Sequence, residues 1–292
     1  MALIWALSAA LGFGIADLCA REASQQESSL KTLLYLYIIG LPAAAILLVF
    51  SGVGRWQDVV SWMGLAGAAI GFIIALGTVC LYRALVIGPL LIVAPIASSF
   101  AVVTFVLSLL SGERPTRLQM IGLIVTLGGV IFATLSSGPA YDEGGLLLTR
   151  GQGRLVSVGV IFAIGTALLH GIGFWLLRYI VPVLGSQATV LVMRVSTLPF
   201  LILFFMAAHM PLRLNTASSL KWLVPVGVVD TAASWFYNLA VDTGLTSIVS
   251  VITSLYSVVT VILGYLLWQE RITRIQQVGV LITLAGIAMV SV

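Results

Sequence analysis

Apolar runs of about twenty residues follow one another along the whole chain, separated by short polar or Gly/Pro-containing breaks. At 1.5 Å per helical residue, a run of that length is what crosses the hydrocarbon core of a bilayer. The pattern predicts spans near residues 3–22, 31–50, 60–82, 89–110 and 118–136, then 155–178, 188–208, 220–240, 245–267 and 274–291. The longest polar connector, 137–153, is Gly-rich and carries Pro139, Asp142 and Glu143. It reads as a flexible linker between a first five-span half, 1–136, and a second, 154–292. Met1–Ala20 lacks the basic start of a signal peptide, and the bulky Leu18 stands where lipidation of Cys19 would need a small residue, so the stretch reads as the first span.

Composition agrees with that reading. Of 292 residues, 60% are hydrophobic and 8% charged, with a mean hydropathy of +1.16, where a soluble domain carries about a quarter charged residues. The net charge of +4 is scattered over short loops rather than gathered on a face or arm, which argues against nucleic-acid binding. Cys19 and Cys80 lie in apolar stretches and read as packed thiols rather than as a disulfide or zinc pair, so neither metal nor cofactor is expected. Enzyme chemistry has little to work with: the histidines are His170 and His209, no span holds a closely spaced acidic pair, and no Gly-x-Ser-x-Gly elbow occurs.

The two halves resemble each other. Glu113-Arg114-Pro115-Thr116-Arg117-Leu118-Gln119 returns as Glu270-Arg271-Ile272-Thr273-Arg274-Ile275-Gln276, and the match runs on through Gly122/Gly279, Thr126/Thr283, Leu127/Leu284 and Gly129/Gly286. That makes nine identities over eighteen positions, with the charged residues in step, which shared apolarity alone would not produce. Leu41-Pro42 matches Leu198-Pro199, Thr32 matches Thr189, and Gly12-Phe13-Gly14 lies opposite Gly171-Ile172-Gly173. An odd number of spans per half requires the second half to enter the membrane from the opposite side. Inverted repeats around a midplane site are a common transporter architecture, so the expected fold is an all-α membrane protein of ten helices in two inverted repeats around a central cavity.

Two copies of a five-helix unit, with Gly-Glu-Arg at 112–114 and Gln-Glu-Arg at 269–271 ahead of a Gly-rich last helix, resemble the EamA branch of the drug/metabolite transporter superfamily. The resemblance covers nearly the whole chain. It implies a carrier of small metabolites in the inner membrane, with relatives that export amino acids or drugs and more distant ones that carry nucleotide sugars or phosphorylated sugars. It also implies a cavity formed by spans 1, 3, 4, 6, 8 and 9, with 5 and 10 peripheral. With both repeats in one chain a monomer suffices, and the implied partners are a small-molecule substrate and the bilayer. The resemblance places both termini in the cytoplasm, whereas nine Lys/Arg in the loops after odd spans against four after even spans place them outside.

Charges within spans face a cavity or a partner. Arg194, Asp230 and His170 fall at similar depth in spans 7, 8 and 6. As partners, Arg194 and Asp230 form a structural ion pair; separately, they suit the carboxylate and ammonium of an amino acid. Asp230, Ser234, Tyr237 and Asn238 recur at i, i+4, i+7 and i+8, a polar stripe on span 8. His170 reads as a packed hydrogen-bonding residue or as a proton relay. Tyr82, Trp175, Trp235 and Tyr256 sit near these polar positions as candidate pocket walls. Asp17 is the candidate coupling acid, because drug/proton exchangers of the superfamily carry an acid in the first helix. Pro95 within span 4 and Gly88 ahead of it are candidate hinges. The substrate class drawn from all this is amino acids or similar zwitterionic or neutral metabolites, exported. A drug carrier and a nucleotide-sugar or phosphorylated-sugar carrier are the alternatives within transport, and a receptor or an intramembrane enzyme those outside it.

Overall fold

A computed structural model describes residues 1–51, 60–88, 90–134, 150–268 and 274–290. Twelve α-helices follow in chain order among these residues: α1 Ala2–Gln26, α2 Ser29–Ser51, α3 Trp62–Ile87, α4 Leu90–Ser98, α5 Phe100–Leu110, α6 Arg117–Thr134, α7 Arg150–Leu184, α8 Ser186–Ala207, α9 Leu220–Thr243, α10 Thr246–Thr253, α11 Tyr256–Trp268 and α12 Arg274–Val290. Six segments are long and apolar enough to cross a bilayer, and Ile96–Leu110 and Arg117–Gly129 are shorter apolar helices. The 24-residue α9 falls outside both sets because Asp230, Thr231, Ser234 and Asn238 dilute its apolar character.

The distribution of side chains suits a bilayer. Leu65, Ile124, Ile161, Phe200 and Leu281 are exposed on the outside, while Thr104, Thr126, Thr166, Thr189, Ser250 and Thr260 are buried within. Several of these hydroxyls are bonded to the carbonyl four residues earlier, as Thr126 to Gly122 at 2.8 Å and Thr283 to Gly279 at 2.8 Å, so their burial leaves no unpaired donor.

Three sequence expectations change here. The connector read as 137–153 lies outside the described residues up to 149, and Arg150–Gly153 form the first turn of α7. The fourth span is two helices, α4 and α5, broken at Ser99, and the ninth is α10 and α11, broken at Ser254–Leu255. The physical cause is the same in both: Ser99 Oγ bonds the Ile96 carbonyl at 2.6 Å and Ser254 Oγ bonds the Val251 carbonyl at 2.6 Å. The backbone tightens to i→i+3 bonds, Ser99 N–H to Ile96 at 3.2 Å and Leu255 N–H to Ile252 at 3.1 Å. Pro95 is inside α4, three residues before that helix ends, and Gly88 caps α3 with its N–H on the Ala84 carbonyl.

Packing repeats between the halves. Helix α1 lies on α9 as α7 lies on α3, α2 packs on α9 as α8 packs on α3, and α1 meets α10 and α11 as α7 meets α4 and α5. Gly14 sits where a side chain would strike the Tyr256 carbonyl and Val259, and Gly171 where one would strike the Phe100 carbonyl and Val103. These contacts set Gly14 opposite Gly171, two residues from the sequence match of the Gly-x-Gly motifs. Helices α6 and α12 cross at equivalent residues: a Cβ on Gly129 would lie 2.8 Å from Thr283 Cα, and one on Gly286 would lie 2.8 Å from the Gly122 carbonyl. The neighbouring Gly128 faces open space. Gly129→Ala is expected to lower stability by about 1–3 kcal/mol through overpacking, with Gly128→Ala near neutral, as read by thermal unfolding of the detergent-purified protein.

Candidate functional site

Between the halves lies a cavity of about 60 Å³, large enough to hold water. Its wall takes residues from α1, α2, α3, α5, α7, α8, α9 and α11, and none from α6 or α12 among the described residues. The second and seventh spans therefore contribute wall that the resemblance did not imply, namely Leu36 and Tyr37 from α2 and Val190, Met193 and Arg194 from α8.

Arg194 and Asp230 are paired to each other on this wall, through Nη2 and Oδ2. Their side chains are 7% and 18% exposed, so the pair is largely desolvated. The Arg194 guanidinium also lies 4.7 Å over the Tyr37 ring, a cation–π contact. Gly40 makes room for it, since a Cβ there would stand 3.3 Å from Arg194 Nε. Asp17 is buried on the same wall with no ion pair or hydrogen bond among the described residues. On the lining among the described residues, Arg194 is neutralised by Asp230, and the Asp17 carboxyl has no cation of its own.

Of the other sequence candidates, Tyr82, His170, Ser234, Tyr237, Asn238 and Tyr256 all line the cavity. Asn238 is partly committed, its Nδ2 donating to the Ser186 carbonyl at 3.1 Å. The Tyr237 and Tyr256 hydroxyls are buried without a partner among the described residues. Trp175 and Trp235 are not brought to the wall: Trp175 Nε1 donates to Ser111 Oγ at 3.0 Å, and Trp235 stacks on Phe236 with ring centres 5.2 Å apart. The sequence reading missed Phe13, Phe100 and Phe174, half-depth aromatics in spans 1, 4 and 6. Phe174 stands 4.6 Å from Tyr237 and 5.1 Å from Phe100, which stacks on Tyr256 at 6.1 Å.

Each end of the bundle is joined by a carboxylate that bridges the halves. At the end where α1 stops, Glu27 accepts from the Asn215 N–H at 2.8 Å, the Thr216 N–H at 3.0 Å and Ser219 Oγ at 2.8 Å, at the start of α9. Lys31 Nζ lies 3.5 Å from Glu27 and donates to Asn215 Oδ1 at 2.7 Å and the Arg213 carbonyl at 3.0 Å, while Tyr35 donates to the Leu212 carbonyl at 3.1 Å. Burial pushes the Glu27 carboxyl up, but the Asn215, Ser219 and Thr216 donors and the Lys31 charge outweigh it and hold it below the usual carboxylate range. At the end where α5 stops, Glu113 accepts from the Thr246 and Ser247 N–H groups at 3.1 and 2.9 Å and stands 3.3 Å from Arg178. Glu113 sits at the N-terminus of α10, where an anion is favoured. Glu270, the counterpart of Glu113 in the repeat, lies outside the described residues.

The comparisons bear on the whole chain. A crystal structure described only as that of a protein superposes with a TM-score of 0.73 over 99% of this chain and 95% of that one, at 15% identity, which speaks for the fold alone. A search of curated proteins finds no match. The sequence profile of the EamA-like transporter family matches residues 1–135 and again residues 157–292. With both halves matched, the chain belongs to the EamA-like transporter family of the drug/metabolite transporter superfamily, multi-pass membrane transporters of small substrates.

Proposed function

We propose that this protein is a secondary transporter of ten spans in two inverted repeats, 1–136 and 154–292 joined through 137–153, that exports amino acids or similar small zwitterionic or neutral metabolites across the inner membrane by alternating access. One chain holds both repeats and suffices. Inversion is supported by the ion pair of Glu113 with Arg178. Glu113 ends an even-numbered span and Arg178 lies near the end of the sixth, so the sixth runs opposite to the first. The paired crossings of α6 with α12 at equivalent glycines point the same way.

The observation that carries the transport reading is a cavity of mainly apolar and aromatic wall, with a few charged and polar groups, between halves that are fastened at both ends, by Glu27 on one side and Glu113 on the other. Along the helix axes the Phe100–Phe174–Tyr237–Tyr256 cluster stands roughly 10–15 Å from the Glu113 end, and Asp17 and Asp230 stand roughly 20 Å from it. Releasing one fastening at a time opens the same charges to one side and then the other. The leftover Asp17 and the neutralised Arg194 disfavour multiply anionic solutes, because a phosphorylated sugar needs several cavity cations. A zwitterion brings its own positive charge. Asp17 also remains the candidate coupling acid, and Pro95 and Gly88 the candidate hinges.

Counterflow in proteoliposomes tests this. Vesicles loaded with an unlabelled amino-acid mixture are expected to accumulate at least one labelled amino acid. Movement of phosphorylated or multiply anionic solutes alone would overturn the reading.

A further inference from the structure

His170 is built into its place more completely than a packing residue needs to be. Its Nε2 lies 3.2 Å from the Ile74 carbonyl and 3.2 Å from Thr78 Oγ1, and Thr78 Oγ1 itself donates to the Ile74 carbonyl at 3.0 Å. A carbonyl oxygen only accepts, so Nε2 carries the ring proton and Nδ1 keeps its lone pair. The orientation is fixed by Gly77, where an added Cβ would fall against the Cδ2–Nε2 edge, 2.8 Å from Nε2. In an imidazole, Nδ1 is the vertex across the ring from the Cδ2–Nε2 bond. That edge is seated in the notch on α3, so Nδ1 is turned away from α3. Phe174, one turn further along α7, stands with its ring centre 5.4 Å from the imidazole and braces it. Among the described residues Nδ1 has no hydrogen-bond partner, although His170 is 8% exposed and on the cavity wall.

We infer that His170 is a specificity-determining residue of the transport site: held as the Nε2–H tautomer, it presents Nδ1 as a hydrogen-bond acceptor for an N–H of the solute's ammonium group. This rests on the transport reading above and names the group by which the solute is recognised. The wall supports it as a whole. Among the described residues its one cation is occupied by Asp230, and the Asp17 carboxyl has no cation of its own. The Ser234 hydroxyl is free either to donate or to accept. A cavity of this kind selects a solute rich in N–H donors. An acceptor on the cavity wall can be reached by the solute, and an ammonium pairs with it without disturbing the Ile74 and Thr78 contacts.

The test is equilibrium binding of three probes to the purified full chain: L-leucine, isoamylamine, which lacks the carboxylate, and 4-methylpentanoate, which lacks the amino group. The wild type is expected to bind the first two and not the third. His170→Gln places an amide nitrogen near the Ile74 carbonyl but offers no acceptor at the Nδ1 position. It is expected to weaken both amines about tenfold or more, with its melting temperature close to that of the wild type. His170→Asn retains an acceptor near the Nδ1 position and is expected to bind more tightly than His170→Gln while melting lower. Gly77→Ala, which displaces the ring without removing it, is expected to behave like His170→Gln in binding. Wild-type affinity in His170→Gln, alongside amino-acid counterflow by the wild type, overturns the His170 assignment and leaves the transport reading standing. Binding of 4-methylpentanoate as tight as that of leucine also overturns the assignment. Failure of the wild type both to bind any probe and to move any amino acid overturns the transport reading and the assignment together.

Discussion

Replacing Arg194 with Met should destabilise the protein by about 3–5 kcal/mol, the cost of removing one partner of a buried ion pair. The substitution strands Asp230 without its counter-charge, leaves Asp17 on the same wall with no cation nearby, and removes the contact with the Tyr37 ring. Adding Asp230→Asn should return most of the lost stability, because the second change removes the stranded charge rather than a favourable contact. Thermal unfolding of the two single variants and the double variant in detergent forms the cycle that measures their coupling. Additive losses would show that the pair does not act as one unit. Counterflow on the same variants separates structure from transport: a stable double variant that still moves solute would show that neither charge is needed in the pathway.

The second large effect is expected at Glu27. Glu27→Ala leaves Lys31 buried beside unpaired Asn215 and Thr216 N–H groups, and the expected loss is again about 3 kcal/mol or more. The pH dependence has a definite sign. Because the folded-state carboxyl is held below its ordinary range, its contribution is fully present above the unfolded value of about 4.3. It fades only as pH falls through the lower folded-state value. Between pH 7 and 5 the wild-type protein should therefore show no loss from this group, and below about pH 4 the gap between wild type and Glu27→Ala should narrow. A gap that stayed constant down to pH 2 would show that the carboxylate's charge is not what fastens α1 to the start of α9.

The parts of the fold that were legible in the sequence are those that composition and repetition control. The existence of apolar helices followed from apolar runs, because a helix in lipid is apolar along most of its length. The repeat showed through the charged residues at 113–117 and 270–274, which apolar drift cannot mimic. The breaks at Ser99 and Ser254–Leu255 were not legible, because serine is common within spans as a packing residue and only the geometry reveals which hydroxyl replaces a backbone bond. Pro95 drew attention to the right span, three residues before the end of α4.

The same division holds for the candidate site. Asp230, Ser234, Tyr237 and Asn238 share a face of α9 by helical spacing, and all four line the cavity. Depth counting put Arg194, Asp230 and His170 at one level, but it carried no azimuth and could not show which two would meet. Azimuth is also why Trp175 and Trp235 were named as walls and are found against Ser111 and Phe236 instead. Phe13, Phe100 and Phe174 went unnamed since an aromatic in an apolar run gives no signal until its neighbours are known. The Glu27 network was illegible for another reason. Its partners lie at 212–219, almost two hundred residues away, and several are backbone groups that any sequence supplies.

The central claim is that one cavity faces each side of the membrane in turn, and accessibility of a wall position tests it most directly. Ser234 lines the cavity in the middle of α9, and the native thiols Cys19 and Cys80 are replaced with Ala beforehand. The Ser234→Cys variant is then treated with a membrane-impermeant thiol reagent in right-side-out and in inverted vesicles, with and without a solute that the protein moves. The account predicts modification from both sides, slowed in both orientations by the solute. Modification from one side only, whatever the solute, would contradict it.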